Sequence, residues 1–136
     1  MNKDQILQFI KKQSLAVLST ATPSGKTESA VMAIAGDNWE IYMSTESDTR
    51  KIPILEANSQ ASLLVGGLSS PSVQLDGHCF ICSNSDADFV KSQILAIHPD
   101  TKDYLTPTSV FLKFVPSWAR FSDFSQNPPT IVEINL

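Results

Sequence analysis

The chain has 136 residues, 42% of them hydrophobic, which is enough for a real core and predicts a single domain over residues 1–136. A net charge of −4 and a pI near 5.0 exclude the basic field that nucleic-acid binding draws on. No apolar run approaches the roughly 18 residues of a membrane span, and Met1-Asn2-Lys3-Asp4 opens without a hydrophobic signal core, so a cytoplasmic protein is expected.

Residues 4–13 have the spacing of a short amphipathic helix, with Ile6, Leu7 and Ile10 on one side and Lys11 and Lys12 following. Residues 15–20 (LAVLST) read as a first strand, Thr22-Pro23-Ser24-Gly25-Lys26 as a hairpin turn and residues 29–34 as a second strand. Gly36-Asp37-Asn38 turns the chain again. In residues 39–44, Trp39, Ile41 and Met43 alternate with Glu40, Tyr42 and Ser44, which predicts a third strand with one core face. These three strands are expected to form an antiparallel meander.

The segment Met43-Ser44-Thr45-Glu46-Ser47-Asp48-Thr49-Arg50-Lys51 carries the most chemistry. A strand ends in a hydroxyl-rich turn, Thr49 is placed to cap a helix, and that helix opens with two cations. Cations at a helix start oppose the dipole, so the arrangement points to an anion held between them. Arg50 offers a planar fork and Lys51 a mobile point charge, which together suit a terminal phosphate.

Ile52, Leu55 and Ala57 continue the helix, with Pro53 early enough to be tolerated and Asn58 as its end. Residues 61–65 form a fourth strand stopped by Gly66-Gly67, and Val73, Leu75, Gly77, Cys79 and Ile81 mark the inner face of a long fifth. Gly77 in its middle signals a bulge or a close backbone approach. Cys79 and Cys82 have the spacing of a redox or zinc motif, but positions i and i+3 of a strand point to opposite faces. Structural cysteines and no metal site are expected. Ser85, Asp86 and Asp88 start a further helix carrying Phe89, Val90, Ile94, Leu95 and Ile97, which His98-Pro99 ends. Residues 109–115 are a sixth strand that Pro116 interrupts, 118–124 continue extended, and 130–134 add an edge strand.

Short strands at hairpin spacing with few helices predict a mainly β, α+β fold built on a closed or split antiparallel barrel. The sequence contains no GxGxxG, GxxxxGK[ST], GxSxG or HExxH, which removes the usual signatures of dinucleotide folds, nucleotide hydrolysis, triad hydrolysis and zinc proteolysis.

The Leu-Ala-Val-Leu-Ser-Thr strand, the Trp-Glu-Ile-Tyr-Met-Ser-Thr strand, the Thr-Arg-Lys helix start and the Val-Gln-Leu-Asp-Gly strand, taken in this order over residues 3–124, resemble the pyridoxamine 5′-phosphate oxidase-like FMN-binding split barrels. The resemblance implies a six-stranded antiparallel split barrel with short flanking helices, a homodimer, and FMN in each of two clefts between the subunits. Arg50 and Lys51 would hold the FMN phosphate, with Ser44, Thr45 and Thr49 lining the same turn. Ser29, Ala30, Val31 and Met32 match the segment whose backbone runs along the flavin edge. Ser72 stands where the oxidases carry a Gln five residues before the Gly, while Gln74 lies two residues further along. Trp118 and Arg120 resemble late residues that reach the flavin from the second subunit; the plainer readings are a packed Trp118 and an Arg120 paired with Asp123.

The vitamin B6 oxidases carry an Arg-x-His segment where this chain reads Asn127-Pro128-Pro129-Thr130-Ile131-Val132-Glu133-Ile134, so vitamin B6 oxidation is not expected. The leading reading is an FMN-dependent oxidoreductase acting on a small molecule, with NAD(P)H as a candidate donor. A non-catalytic protein that stores or senses FMN or another phosphate-bearing ligand is the first alternative. A haem-associated barrel using His78 or His98 is the second.

Overall fold

The computed structural model describes residues 1–67, 69 and 71–136. Helix α1 (Lys3–Lys11) is closed at its start by a capping box, in which the Asn2 side chain accepts from the Gln5 N–H and the Gln5 side chain accepts from the Asn2 N–H. Its Ile6 and Ile10 are buried, and Phe9 meets Phe121 edge-on at 5.7 Å between ring centres.

Eight strands follow among the described residues: β1 (Leu15–Ala21), β2 (Thr27–Ala33), β3 (Ala35–Asp37), β4 (Glu40–Glu46), β5 (Gln60–Gly66), β6 (Ser72–Ile81), β7 (Ser109–Asp123) and β8 (Thr130–Asn135). Helices α2 (Lys51–Ala57) and α3 (Asn84–Ile97) and a 3-10 turn (Pro99–Asp103) complete the chain. The sheet order is β2-β1-β5-β6-β7-β4-β3, with β8 added to β7, and each pairing is antiparallel. The sheet curls into a split barrel, as the sequence predicts, but with eight strands rather than six. The additions are the short β3 and the edge strand β8, which the sequence places as a turn and as an edge strand respectively.

The expected meander does not form. Strand β4 pairs with β3 and β7 and not with β2. The reason lies at Asn38 and Trp39, whose φ angles of 53° and 67° make a tight two-residue reversal and bring β3 back onto β4. Ile41 and Met43 then enter the core from between β3 and β7.

Pro116 does not break the sixth strand, because the ladder makes room for it. The register between β6 and β7 shifts at Asp76/Gly77, so that Gly77 faces Pro116, Asp76 faces Trp118, and Ser117 is left over. A Cβ on Gly77 would sit 2.1 Å from the Val115 carbonyl oxygen and 2.7 Å from Pro116 Cα. The glycine is therefore required, and β7 runs unbroken as the longest strand.

Inside the barrel lie Leu18, Met43, Leu63, Val65, Val73, Leu75, Leu112 and Phe114. Outside, Val90 and Ile94 of α3 cover Tyr42, Ala35 and Phe111, leaving the outer face of β2, β1, β5 and β6 without a covering helix. Cys79 is buried in the core and Cys82 packs toward α3; both thiols are free and both are pushed up by burial, Cys79 to about 12. No helix among the described residues is long and apolar enough to cross a membrane.

Replacing Gly77 by Ala is expected to lower the unfolding free energy by about 2–3 kcal/mol in urea titration, since the added methyl meets backbone. Gly25, at φ +94° with open space around it, should lose only about 1 kcal/mol in the same substitution. Equal losses would contradict the close-approach account. Burial, and the hydroxyl donated to Glu40 at 2.9 Å, push the Tyr42 phenol from 10.0 up to about 12. A raised folded value gives stability that is complete below pH 10 and lost as pH rises toward 12. Tyr42→Phe should therefore flatten the fall of stability across that window, as read by denaturant titration at several pH values.

Candidate functional site

The β4–α2 junction is built from a polar turn rather than a capped helix start. The Thr49 hydroxyl donates to the Glu46 carbonyl at 3.0 Å and lies 3.3 Å from Thr45 Oγ1. Helix α2 begins at Lys51, Arg50 occupies the cap position, and no side chain caps it. The predicted Thr49 cap is thus corrected: its hydroxyl is engaged one turn earlier, in the reversal over residues 46–49. With seven residues, α2 gives little dipole, so any anion here must be held by side chains.

The two cations sit differently. Lys51 is 8% exposed and has neither an ion pair nor a side-chain hydrogen bond among the described residues. Arg50 is exposed and pairs with Glu28 of β2, Nε to Oε2 at 3.0 Å. It lines a crevice of about 190 Å³ with Thr22, Lys26, Thr27, Glu28 and Pro53. Ser44, Thr45 and Thr49 instead line a separate cleft of about 300 Å³, together with Glu46, Tyr104 and Ser109. The predicted single cradle is therefore two hollows on either side of the junction.

Glu46 fastens the second hollow. Its carboxylate accepts from Ser109 at 2.8 Å, Thr106 at 2.9 Å and Thr108 at 3.1 Å, and these hydroxyls hold it below the usual carboxylate range. Neither Glu46 nor Glu28 was singled out by sequence reasoning. Glu28 carried one usable signal, a charge at an inward-facing position of an alternating strand, opposite Thr20 of β1.

Among the described residues strand β2 is an edge, paired only with β1, so alternate N–H and C=O groups of Ser29–Met32 face away from the sheet. Ser29 and Val31 are exposed on the outer face, while Ala30 and Met32 point inward and offer only backbone. Ser72, Gln74, Trp118 and Arg120 share the outer face of β6 and β7, with Gln74 directly opposite Arg120. Arg120 donates to Glu133 of β8 at 3.2 Å, so the expected Asp123 pairing is corrected. Three strand spacings, about 14 Å, separate β2 from β6, so one chain does not bring these two sets together.

The histidines are apart. His78 Nδ1 lies 2.8 Å from Ser59 Oγ, at the rim of an outer-face basin of about 420 Å³ with Asp76, Gln60 and Ser62. His98 Nε2 is 2.7 Å from the Ile34 carbonyl, joining the end of α3 to the β2–β3 link. No group of three or more potential metal ligands occurs among the described residues, and the two cysteines lie on different sides of the sheet.

No curated protein matches the chain. Among solved structures, General Stress Protein 26 from Bacillus anthracis is similar over 97% of this chain and 98% of its own, with a TM-score of 0.72 and 23% identity. A pyridoxamine 5′-phosphate oxidase-related, FMN-binding protein from Nostoc punctiforme is similar over 98% and 95%, with a TM-score of 0.73 and 10% identity. The heme storage protein of Vibrio cholerae is similar over 84% and 89%, with a TM-score of 0.72 and 13% identity. A family model described as pyridoxamine 5′-phosphate oxidase matches residues 3–123, nearly the whole chain, and so the chain belongs to the pyridoxamine 5′-phosphate oxidase family.

Proposed function

We propose that the protein binds FMN, at a site shared between two copies of the chain, and uses it as an oxidoreductase toward a small molecule. The observation that carries this reading is the pair of adjacent cations at the start of α2, Lys51 with no ion pair among the described residues and Arg50 with an exposed guanidinium. The Lys51 stem is packed while its ammonium carries no ion pair among the described residues, so the charge is available to a phosphate. The residues present fit the phosphate end of FMN.

The free edge of β2 suits the other end. Backbone donors and acceptors of Ser29–Met32 can read the imide edge of a flavin, whatever the side chains are. Ser72, Gln74, Trp118 and Arg120 lie too far from β2 to join that contact within one chain, which favours their arrival from a second copy. The uncovered outer face exposes Leu15, Val31 and Leu64, apolar area of the kind that a homodimer buries. FMN supplies hydride and electron transfer when bound. The protein's part is to orient the ring, exclude water and place N–H donors near its polar edge. NAD(P)H is the candidate donor, and a non-catalytic flavin-binding role is the outcome if no acceptor turns over.

The likeness to the Vibrio cholerae protein supports a second reading, haem binding. His98 is committed to the Ile34 carbonyl, so that reading would use His78, whose Nε2 has no protein partner among the described residues. A Soret band on haemin titration that His78→Ala removes would establish it.

The double variant Arg50→Ala/Lys51→Ala should weaken FMN binding by about 3–6 kcal/mol, the sum of two charge-assisted contacts, when followed by flavin fluorescence. Riboflavin, which lacks the phosphate, should bind the variant and the parent alike. An FMN affinity equal to that of the parent would remove the phosphate assignment.

A further inference from the structure

We propose that Glu28 is a built-in counter-ion that restrains phosphate binding at the Arg50–Lys51 site and so sets the affinity of that site for phosphorylated ligands. This inference rests on the phosphate reading given above and adds to it a residue with the opposite charge and the opposite effect. Glu28 occupies an inward-facing position of β2, where alternation would ordinarily place an apolar side chain, and its own side chain is only 17% exposed. It reaches across to Arg50 at 3.0 Å, while the Arg50 side chain is 78% exposed. The carboxylate is mostly enclosed and the guanidinium mostly exposed, so the guanidinium is the side of the pair open to an arriving anion.

A phosphate monoester carries about −1.5 to −2 charges near neutral pH. At this junction it would meet Arg50, with Lys26 lining the same crevice as Arg50 and Glu28 and Lys51 next in the chain. The phosphate has to share Arg50 with Glu28 or displace it, and a carboxylate within a few ångströms of the incoming oxygens repels them throughout. Arg50 is then the contact whose contribution Glu28 discounts, while Lys51 has no carboxylate partner among the described residues. A ligand lacking phosphate feels neither effect. The crevice is open to solvent on the Arg50 side, so salt screens the repulsion, and the effect of Glu28 is largest at low ionic strength.

The test is equilibrium titration with FMN and with riboflavin, at low and high salt, of the parent protein, Glu28→Gln, Glu28→Ser and Arg50→Ala/Lys51→Ala. Both neutral replacements at 28 are expected to lower the FMN dissociation constant about tenfold at low salt, with a smaller gain at high salt, and to leave riboflavin unchanged. Two replacements of different size separate the loss of charge from a packing effect. Unchanged or weaker FMN binding in both, with FMN binding lost in the Arg50/Lys51 variant, overturns the role of Glu28 and leaves the phosphate site standing. Equal tightening toward riboflavin overturns it as well, because the effect would not act on phosphate. Full FMN binding in the Arg50/Lys51 variant removes the phosphate site itself and the inference with it.

Discussion

Strand β7 is the constraint on which the rest of the structure depends. It pairs with β6, β4 and β8, and no other described strand holds three partners. Its first half carries Leu112 and Phe114 into the core beneath β4, and its second half carries Ala119 and Phe121 beneath α1. Fifteen residues of unbroken strand are possible only because Gly77 lets the backbone of β6 approach Val115 and Pro116. That one close contact lets a proline stand inside a ladder that it would otherwise interrupt. With β7 fixed, β4 is drawn to the side opposite β6, and β2 is left at the far end of the sheet order as a free edge.

The candidate site follows from that arrangement. Helix α2 hangs between the end of β4 and the start of β5, close to the turn that opens β2, and the Arg50–Glu28 pair ties the two regions together. Its cations gain their meaning from surroundings that differ: Lys51 is packed and unpaired, Arg50 is exposed and paired. Two adjacent side-chain cations are a stronger pointer to an anionic ligand than the dipole of a seven-residue helix. In the turn before α2 the Thr49 hydroxyl is already donated to the Glu46 carbonyl, while Thr106, Thr108 and Ser109 from the far side of the cleft bind the Glu46 carboxylate. The proposal of a flat ligand shared with a second chain draws further on the free edge of β2 and on the exposed outer face of the sheet.

Much of this was legible in the residues. Alternation located the first strands, the fifth and the sixth, Gly77 announced its bulge, and Asn58 and His98-Pro99 ended their helices. The cysteine pair was correctly separated by the period of a strand. Strand partners were not legible, because the choice between β2 and β7 as neighbour of β4 is made by contacts about seventy residues apart in sequence. A turn at residues 36–38 was read, but its extension through Trp39 was not, because a tryptophan at positive φ is outside the usual turn chemistry. At the site, the identity of the cations was readable but their pairing was not. Glu28, twenty-two positions before Arg50, becomes its partner only through the tertiary fold.

The central claim is that the junction holds the phosphate of a flavin shared between two copies of the chain. It is tested most directly by titrating the purified protein with FMN, following flavin fluorescence, and measuring the molecular mass in solution by light scattering. Saturable binding of one FMN per chain, in a particle of twice the chain mass, is the predicted result. An absence of binding at tens of micromolar FMN, or saturable binding to a monomer, would contradict the account.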